Sequence, residues 1–273
     1  MKKLNDTLAT LAGVAKTAVF LALIVFFIPV ALIAKLIDPK NPYEISQLFH
    51  TLLLRILGIR LRVFGVPSTA APVLFVANHV SYLDIPVLGS LLPASFVAKS
   101  EVAGWPLFGY LAKIQNTLFI ERRSTRAAAQ RTQLQTHLAK RHSLILFPEG
   151  TSSDGLAVLP FKSSLFSIVE DTTLEHVVTI QPISLTCTEL GGFPLLREER
   201  ALFAWYGDMT LQPHLWNVFK RGDFTIEVVF HEPVLATEYA DRKILAAACQ
   251  TMVGHGIEQS LKGQTALAGQ KIK

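Results

Sequence analysis

Hydrophobic residues form one long run near the amino terminus and a series of shorter runs after it. The long run covers 18 uncharged residues, Thr17 to Ala34, between Lys16 and Lys35. A helix of this length can cross the hydrocarbon core of a bilayer, which is about 30 Å thick. Pro29 removes a backbone donor within the run, so a half-inserted helix or a re-entrant pair competes with a straight span. All three alternatives predict contact with a membrane.

A second segment, Ile45 to Leu61, has apolar residues at helical spacing. Arg55, Arg60 and Arg62 are placed along it to meet lipid phosphates, and a core helix with a basic edge is the alternative. Lysine and arginine are denser after the long apolar run than before it, which favours a cytoplasmic body if the run spans. We therefore predict a membrane-associated helical segment over residues 1–62.

Beyond residue 62 the chain alternates short apolar runs with longer amphipathic ones, a pattern typical of an α/β domain. Seven runs are predicted as strands: Val73–Ala77, Ser95–Ala98, Thr117–Glu121, Leu144–Phe147, Val177–Leu185, Ala201–Tyr206 and Phe224–Phe230. Three segments are predicted as helices: Ser124 to about Arg141, Gln212 to Lys220, and Thr237 to about Leu261. No repeat or linker divides residues 63–273, which we predict to form one domain.

Composition supports contact with lipid. Half of the residues are hydrophobic, only 17% are charged, and the mean hydropathy is +0.37. The net charge of +5 suits an anionic partner, either acidic phospholipid or nucleic acid. The chain has no recognised nucleic-acid motif, so we expect no nucleic-acid partner. Cys187 and Cys249 lie 62 residues apart with no CxxC pattern, which predicts neither a zinc site nor a disulfide framework.

The first candidate for chemistry follows the strand Val73–Ala77, where Asn78 and His79 precede Asp84. On a continuous helix a spacing of five places two side chains about 140° apart, so they meet only if the chain turns between them. Pro86 favours a helix that begins near Asp84, which leaves His79 on the connecting turn. A histidine held by a carboxylate can act as a general base. The alternative is an ordinary packed or surface histidine.

Two further strands end in polar residues. Residues 144–147 run into Pro148-Glu149-Gly150, and residues 117–120 run into Glu121-Arg122-Arg123. Open α/β sheets bind ligands at the carboxyl ends of their strands, and a guanidinium there can hold an anionic headgroup. An ordinary turn and a solvated strand end are the alternatives.

Together these residues resemble the 1-acylglycerol-3-phosphate O-acyltransferases and related lysophospholipid acyltransferases. That family carries an NH-x4-D block, an F-I-x-R block, an F-P-E-G-T block and a short block centred on proline, in this order. The matching segments here are Asn78–Asp84, Phe119–Arg122, Phe147–Thr151 and Ile180–Ile183. Four ordered blocks are far more specific than any one alone.

The resemblance implies a mixed, mostly parallel sheet flanked by helices. It implies that His79 deprotonates the acceptor hydroxyl and that Asp84 orients His79. The residues implied to bind the acceptor are Arg122, Glu149, Gly150 and Thr151, and the supporting residues are Asn78, Phe119, Pro148 and Pro182. With the excess of basic residues after the apolar run, we expect an enzyme of the cytoplasmic membrane whose catalytic domain lies on the cytoplasmic side.

The implied reaction moves a fatty acyl chain from acyl-CoA or acyl-carrier protein to 1-acylglycerol-3-phosphate, with no permanently bound cofactor or metal. Ser152 departs from the family, many members of which have arginine after F-P-E-G-T. The segment Ala204–Met209 is similar to a bacterial subgroup that includes acyltransferases of ornithine lipids. Lyso-ornithine lipid is therefore the alternative acceptor.

Motifs of rival enzyme classes are missing from the sequence. It contains no G-x-S-x-G, no G-x-x-x-x-G-K-[ST], no G-x-G-x-x-G and no H-E-x-x-H. A serine hydrolase, a P-loop enzyme, a Rossmann oxidoreductase and a zinc protease are thus disfavoured. A non-catalytic lipid-binding protein with a structural His79 is the remaining alternative from a different class.

Overall fold

The computed structural model describes residues 2–37, 43–121, 127–170 and 177–265. Within these ranges the strands are β1 Arg60–Phe64, β2 Val73–Ala77, β3 Ser95–Lys99, β4 Leu118–Ile120, β5 Leu144–Leu146, β6 Thr179–Leu190, β7 Phe193–Pro194, β8 Phe224–Phe230 and β9 Val234–Leu235. The α-helices are α1 Lys2–Ile37, α2 Tyr43–Leu57, α3 Asp84–Leu91, α4 Phe108–Ile114, α5 Ala127–Ala139, α6 Leu211–Arg221 and α7 Arg242–Leu261. Short 3-10 helices cover Ser100–Gly104, Ser163–Val169, Arg197–Leu202 and Ala236–Glu238.

The described strands form one mixed sheet in the order β1-β8-β6-β2-β5-β3-β4, with β7 and β9 paired to β6. The neighbours along β6-β2-β5-β3-β4 are parallel, as are β1 and β8, whereas β6 and β8 are antiparallel. The prediction of a mixed, mostly parallel sheet flanked by helices is confirmed.

Both faces of the sheet are covered, which explains why its central strands are apolar throughout. Along β2, Val73, Phe75 and Ala77 face a core shared with α1, α2, α3 and α6. Leu74 and Val76 face the opposite core, which is shared with α5 and α7. This alternation follows from the two-residue period of a strand.

Helix α1 is continuous for 36 residues and passes through Pro29 without a break. At about 1.5 Å per residue its length is roughly 54 Å. One stripe of α1 is buried: Phe20 packs on Phe219 of α6 with ring centroids 5.5 Å apart, and Phe27 packs on Phe49 of α2 at 5.7 Å. The other faces of α1 expose large apolar side chains, among them Leu21, Val25 and Phe26.

Among the described residues, one helix is long and apolar enough to cross a membrane, and it is residues Asn5–Ile37 of α1. This agrees with the predicted apolar segment in position and is longer. The buried stripe shows in addition that α1 is part of the folded body, because it completes the core on one side of the sheet.

The second predicted helix, Ile45 to Leu61, is shorter than expected. Helix α2 ends at Leu57, Gly58 adopts a φ of +77°, and β1 begins at Arg60. Arg60 pairs with Asp223, and Arg62 Nη1 lies 2.7 Å from Glu189 Oε1. Both side chains remain partly exposed, and their contact with lipid phosphates stays a prediction. The division at residues 62 and 63 therefore falls inside a strand, and the two-domain arrangement stays a prediction.

Three other element predictions need correction or fall outside the described residues. The predicted strand Ala201–Tyr206 is wrong, because a 3-10 helix covers Arg197–Leu202 and irregular chain follows. Helix α7 begins at Arg242 rather than Thr237, since Asp241 caps it by accepting bonds from Lys243 N and Ile244 N. Ser124, the predicted start of α5, lies outside the described residues.

The two faces of α1 can be told apart by two neighbouring phenylalanines. Phe27→Ala should lower the free energy of unfolding by about 3 kcal/mol, since Phe27 is 6% exposed and its removal leaves a cavity. Phe26→Ala, at a side chain that is 65% exposed, should leave stability nearly unchanged and weaken retention on vesicles. Thermal unfolding in detergent measures the first effect and vesicle flotation the second. Equal destabilisation by both variants would contradict the packing of α1.

Candidate active site

The site lies where two adjacent parallel strands end. Strands β2 and β5 pair with Val76 opposite Leu146, so the residues after Ala77 and after Leu146 emerge side by side. Asn78 and His79 follow β2, and Phe147 to Gly150 follow β5. The carboxyl edge of a parallel sheet is the usual place for a ligand in open α/β folds.

His79 and Asp84 form the predicted dyad. His79 Nδ1 lies 2.8 Å from Asp84 Oδ2, and the same oxygen accepts bonds from Val80 N at 2.7 Å and Ser81 N at 3.0 Å. Helix α3 begins at Asp84 with Pro86 in its first turn, as the sequence predicts. The turn between the two residues therefore brings them together, and its backbone N–H groups point at the Asp84 carboxylate.

The other nitrogen of the His79 ring, Nε2, has no hydrogen-bond partner among the described residues. The His79 side chain is 23% exposed, whereas that of Asp84 is 2% exposed. The imidazole stacks on Phe147 with ring centroids 4.2 Å apart and an interplanar angle of 20°. Because Asp84 holds Nδ1 and Phe147 holds the ring plane, Nε2 is the nitrogen left open to a substrate.

Glu149 connects the histidine loop, which is residues 78–83 between β2 and α3, to the chain that follows β5. Its Oε1 accepts a bond from His79 N at 2.8 Å, and its Oε2 accepts one from Leu159 N at 3.2 Å. On the other side, Ser153 N donates to His79 O at 2.9 Å. The backbone of His79 is thus held from both sides. These contacts give Glu149 a positioning role, and its predicted contact with an acceptor stays a prediction.

Burial raises the pKa of Glu149 to about 7, and the nearby Asp84 charge adds to this, although the bonds from His79 N and Leu159 N oppose it. Glu149 is only 3% exposed. A buried carboxyl that shares its surroundings with a second carboxylate is easier to protonate than one in water. The carboxyl of Glu149 therefore changes protonation near neutral pH.

The remaining predicted residues lie at the same edge of the sheet or farther along it. Asn78 Nδ2 donates to Leu185 O at 2.9 Å, and Leu185 N donates to Asn78 Oδ1 at 2.8 Å, which joins the end of β2 to β6. Pro148 O accepts a bond from Lys162 N. Gly150 adopts a φ of +68° that glycine tolerates well, and Thr151 beside it is exposed.

Pro182 and the arginine block are farther from the dyad. Pro182 is buried on β6 opposite Val76, and its carbonyl accepts a bond from His231 N. Phe119 lies on β4, the edge strand, three strands from β2 and so roughly 14 Å away at about 4.8 Å per strand. Arg122 follows β4 and lies outside the described residues.

An apolar cavity of about 200 Å³ lies against the loop and the helix that carry His79 and Asp84, and neither of these two residues lines it. Tyr82 and Leu83 of the histidine loop and Ile85 of α3 form part of its wall. Opposite them lie side chains of α1, α2 and α6, among them Phe20, Phe27, Phe49, Leu53, Leu215 and Phe219. The cavity therefore lies between the residues that follow His79 and the amino-terminal helices.

Sequence reasoning missed Arg200 and predicted a strand over Ala201–Tyr206. Trp205 N donates to Val80 O at 3.0 Å, and Ser152 Oγ donates to Trp205 O. The segment thus closes one side of the histidine loop. Arg200 itself is buried, and the only signal for it in the sequence is that an arginine precedes the apolar run Ala201–Ala204.

Comparison with known proteins identifies the family. The family model described as Acyltransferase matches residues 60–186. The lyso-ornithine lipid O-acyltransferase of Brucella abortus (strain 2308) is 37% identical over 231 residues, which cover 82% of this chain and 86% of that protein. The chain belongs to this acyltransferase family.

Two further similarities extend this result. The 1-acyl-sn-glycerol-3-phosphate acyltransferase of Neisseria gonorrhoeae is 34% identical over 185 residues, covering 66% of this chain and 68% of that protein. The crystal structure of the 1-acyl-sn-glycerophosphate acyltransferase from Thermotoga maritima matches with a TM-score of 0.66 at 22% identity, covering 95% of this chain and 97% of that one. The protein is thus an O-acyltransferase of the glycerolipid and lysolipid type, and the non-catalytic alternative is set aside.

The raised pKa of Glu149 predicts a pH-dependent stability. In the folded state this carboxyl holds its proton up to about pH 7, whereas in the unfolded chain it loses it near pH 4.5. The folded state therefore binds more protons in this window, so the stabilisation present below pH 4.5 is lost as the pH rises to 7. Glu149→Gln, which cannot ionise, should flatten this decline in melting temperature.

The matched control is Glu258→Gln, at an exposed glutamate of α7. Its melting temperature should follow the wild-type pH dependence. Melting curves for Glu149→Gln and the wild type that stay parallel from pH 4 to pH 8 would contradict the raised pKa.

Proposed function

We propose that this protein transfers a fatty acyl chain from a thioester, acyl-CoA or acyl-carrier protein, to the free hydroxyl of a lysolipid. The observation that carries the proposal is the dyad beside the apolar cavity: Asp84 holds His79 Nδ1 at 2.8 Å, and Nε2 stays open. A hydroxyl has a high pKa and needs a base as it attacks a carbonyl. A neutral imidazole held in one tautomer supplies that base.

The proposed step conserves every proton. His79 Nε2 takes the proton of the acceptor hydroxyl as the hydroxyl oxygen attacks the thioester carbonyl carbon. The tetrahedral intermediate then collapses, the C–S bond breaks, and the imidazolium returns its proton to the departing thiolate. Asp84 stabilises the imidazolium in between. No covalent acyl-enzyme is needed.

The apolar cavity would hold part of an acyl chain. Its walls are almost entirely aliphatic and aromatic, and about 0.8 kcal/mol is gained for each methylene group that leaves water. Tyr82 and Leu83 line the cavity within the same loop that carries His79. A chain seated there would therefore end beside the base.

Lyso-ornithine lipid is the favoured acceptor, and 1-acylglycerol-3-phosphate is the second candidate. The match to the Brucella protein is longer and more identical than the match to the Neisseria protein. Ser152 also lacks the positive charge that many family members place there for a phosphate, and its hydroxyl donates to Trp205 O. This reverses the order of the two acceptors given by the motifs alone.

Membrane association would come from α1. Its exposed apolar side chains have no partner in the described body, and the buried stripe fixes the helix to the catalytic sheet. We place the enzyme at the cytoplasmic membrane with its catalytic body on the cytoplasmic side, where acyl-CoA and acyl-carrier protein are found. The support for the orientation is the excess of basic residues after α1's apolar run.

Loss of the base should abolish most of the transfer. His79→Ala should lower kcat by roughly 10²- to 10⁴-fold, and Asp84→Asn should lower it as well because the wrong imidazole tautomer is favoured. His255→Ala, at an exposed histidine of α7, is the control and should keep wild-type turnover. Release of free thiol from an acyl donor in the presence of lysolipid measures each rate. Wild-type turnover by a folded His79→Ala variant would refute the mechanism.

Competition between acceptors tests the headgroup. Equal amounts of lyso-ornithine lipid and 1-acylglycerol-3-phosphate are presented in one vesicle with limiting acyl donor, and the products are separated by mass. We expect the ornithine product to exceed the phosphate product by at least about tenfold, because serine at position 152, where many family members have arginine, removes one charge-assisted contact with a phosphate. An excess of phosphatidic acid would make 1-acylglycerol-3-phosphate the acceptor.

A further inference from the structure

Arg200 is a buried arginine whose side chain is not paired. It is 8% exposed, yet its guanidinium makes no hydrogen bond or ion pair with any residue in the described ranges. Arginine at this degree of burial normally has a carboxylate or a set of carbonyl partners, because an unpaired charge away from water is costly. The mechanism above gives this side chain no role.

The segment that carries Arg200 is fastened to the histidine loop. Arg200 O accepts bonds from Phe203 N at 3.0 Å and Ala204 N at 2.7 Å, which fold the chain tightly after it. Trp205 N then bonds Val80 O, the carbonyl of the residue that follows His79. Arg200 therefore belongs to the rim of the active site.

Asp154 supplies the opposite charge at the same rim. It follows Ser153, whose backbone N–H donates to His79 O, and its Oδ1 accepts a bond from Leu156 N at 3.0 Å. Ser152 Oγ donates to Trp205 O, which joins the loop of Asp154 to the segment of Arg200. Burial lowers the pKa of Arg200, and the nearby Cys187 and Asp154 side chains oppose this shift. In the described chain the two side chains nevertheless form no ion pair with each other.

We propose that Arg200 and Asp154 together bind the zwitterionic headgroup of the acceptor, Arg200 taking its carboxylate and Asp154 its ammonium. This inference rests on the proposed function and names the side chains that select the acceptor. An ornithine headgroup carries a carboxylate and an ammonium on one short methylene chain, so it offers each of the two side chains an opposite charge. Guanidinium and carboxylate match in a planar, two-bond geometry.

The arrangement discriminates against a phosphate monoester. A phosphate would satisfy Arg200 but would bring a dianion close to Asp154, and repulsion between like charges offsets the gain. The pair thus selects an acceptor by its charge pattern.

The test uses two analogues of lyso-ornithine lipid with the full-length enzyme in vesicles. One analogue has its carboxylate converted to an amide, and the other has its ammonium acetylated. The wild type should lose roughly 10- to 100-fold in kcat/KM on each analogue. Arg200→Gln should lose a similar factor on the natural acceptor and should no longer distinguish the carboxylate from the amide. Asp154→Asn should likewise no longer distinguish the ammonium from its acetylated form.

Matched controls are Arg197→Gln in the same 3-10 helix and Asp208→Asn, both at exposed positions. They should retain the discrimination of the wild type. Each result is a ratio of two acceptors within one variant, so a lower fraction of folded enzyme does not affect it. Asp154 is partly exposed, so Asp154→Asn provides a second arm if Arg200→Gln fails to fold.

The outcomes separate the two proposals. Two results would overturn the Arg200–Asp154 site and leave the proposed function intact. One is a wild type that acylates lyso-ornithine lipid and both analogues with equal kcat/KM. The other is a ratio of kcat/KM between natural acceptor and analogue that stays at the wild-type value in Arg200→Gln or Asp154→Asn. A wild type that acylates only 1-acylglycerol-3-phosphate overturns the proposed acceptor and the headgroup site with it.

Discussion

The structure of the site depends on one carboxylate oxygen. Asp84 Oδ2 accepts bonds from His79 Nδ1, Val80 N and Ser81 N, all within 3.0 Å. Asp84 is almost fully buried, and a buried carboxylate is tolerated only when such donors surround it. The same three bonds that stabilise the charge bend the chain between β2 and α3. The geometry of the base and the shape of the loop therefore share a single cause.

That loop links the chemistry to the amino-terminal helices. Leu83 and Ile85 line the apolar cavity together with Phe20 and Phe27 of α1. Helix α1 consequently has two apolar surfaces, a narrow stripe that completes the core and a wide exposed one that suits lipid. An acyl chain that leaves the membrane along such a helix would stay in apolar surroundings until it reached His79.

Three ionisable side chains besides the dyad bear on the charge of the site: Glu149, Arg200 and Asp154. Glu149 is buried with its pKa raised to about 7, so near neutral pH it adds less than a full charge beside Asp84. Arg200 and Asp154 stand at the rim without pairing. A site built in this way keeps the imidazole free to accept a proton, and in our proposal side chains outside the dyad recognise the headgroup charge.

The amino-acid sequence by itself determined the features that depend on local pattern. Alternation and apolar runs predicted β2, β3, β5 and β8 nearly to the residue, and Pro86 correctly predicted the start of α3. The spacing of His79 and Asp84 indicated a turn, and four ordered blocks indicated the family that the comparisons confirm. These predictions are accurate because each element, turn and sequence block depends on residues close together along the chain.

Only the tertiary structure decided the features that depend on distant partners. Strand β1 looks like the end of a helix in sequence, and it is a strand because β8 pairs with it across more than 160 residues. Ala201–Tyr206 is apolar enough for a strand, but Trp205 bonds Val80 instead of a sheet neighbour. Arg200 is an unremarkable arginine in sequence and becomes a candidate for recognition because folding buries it without a partner in the described chain. Backbone pairing and burial are set by contacts that no local pattern contains.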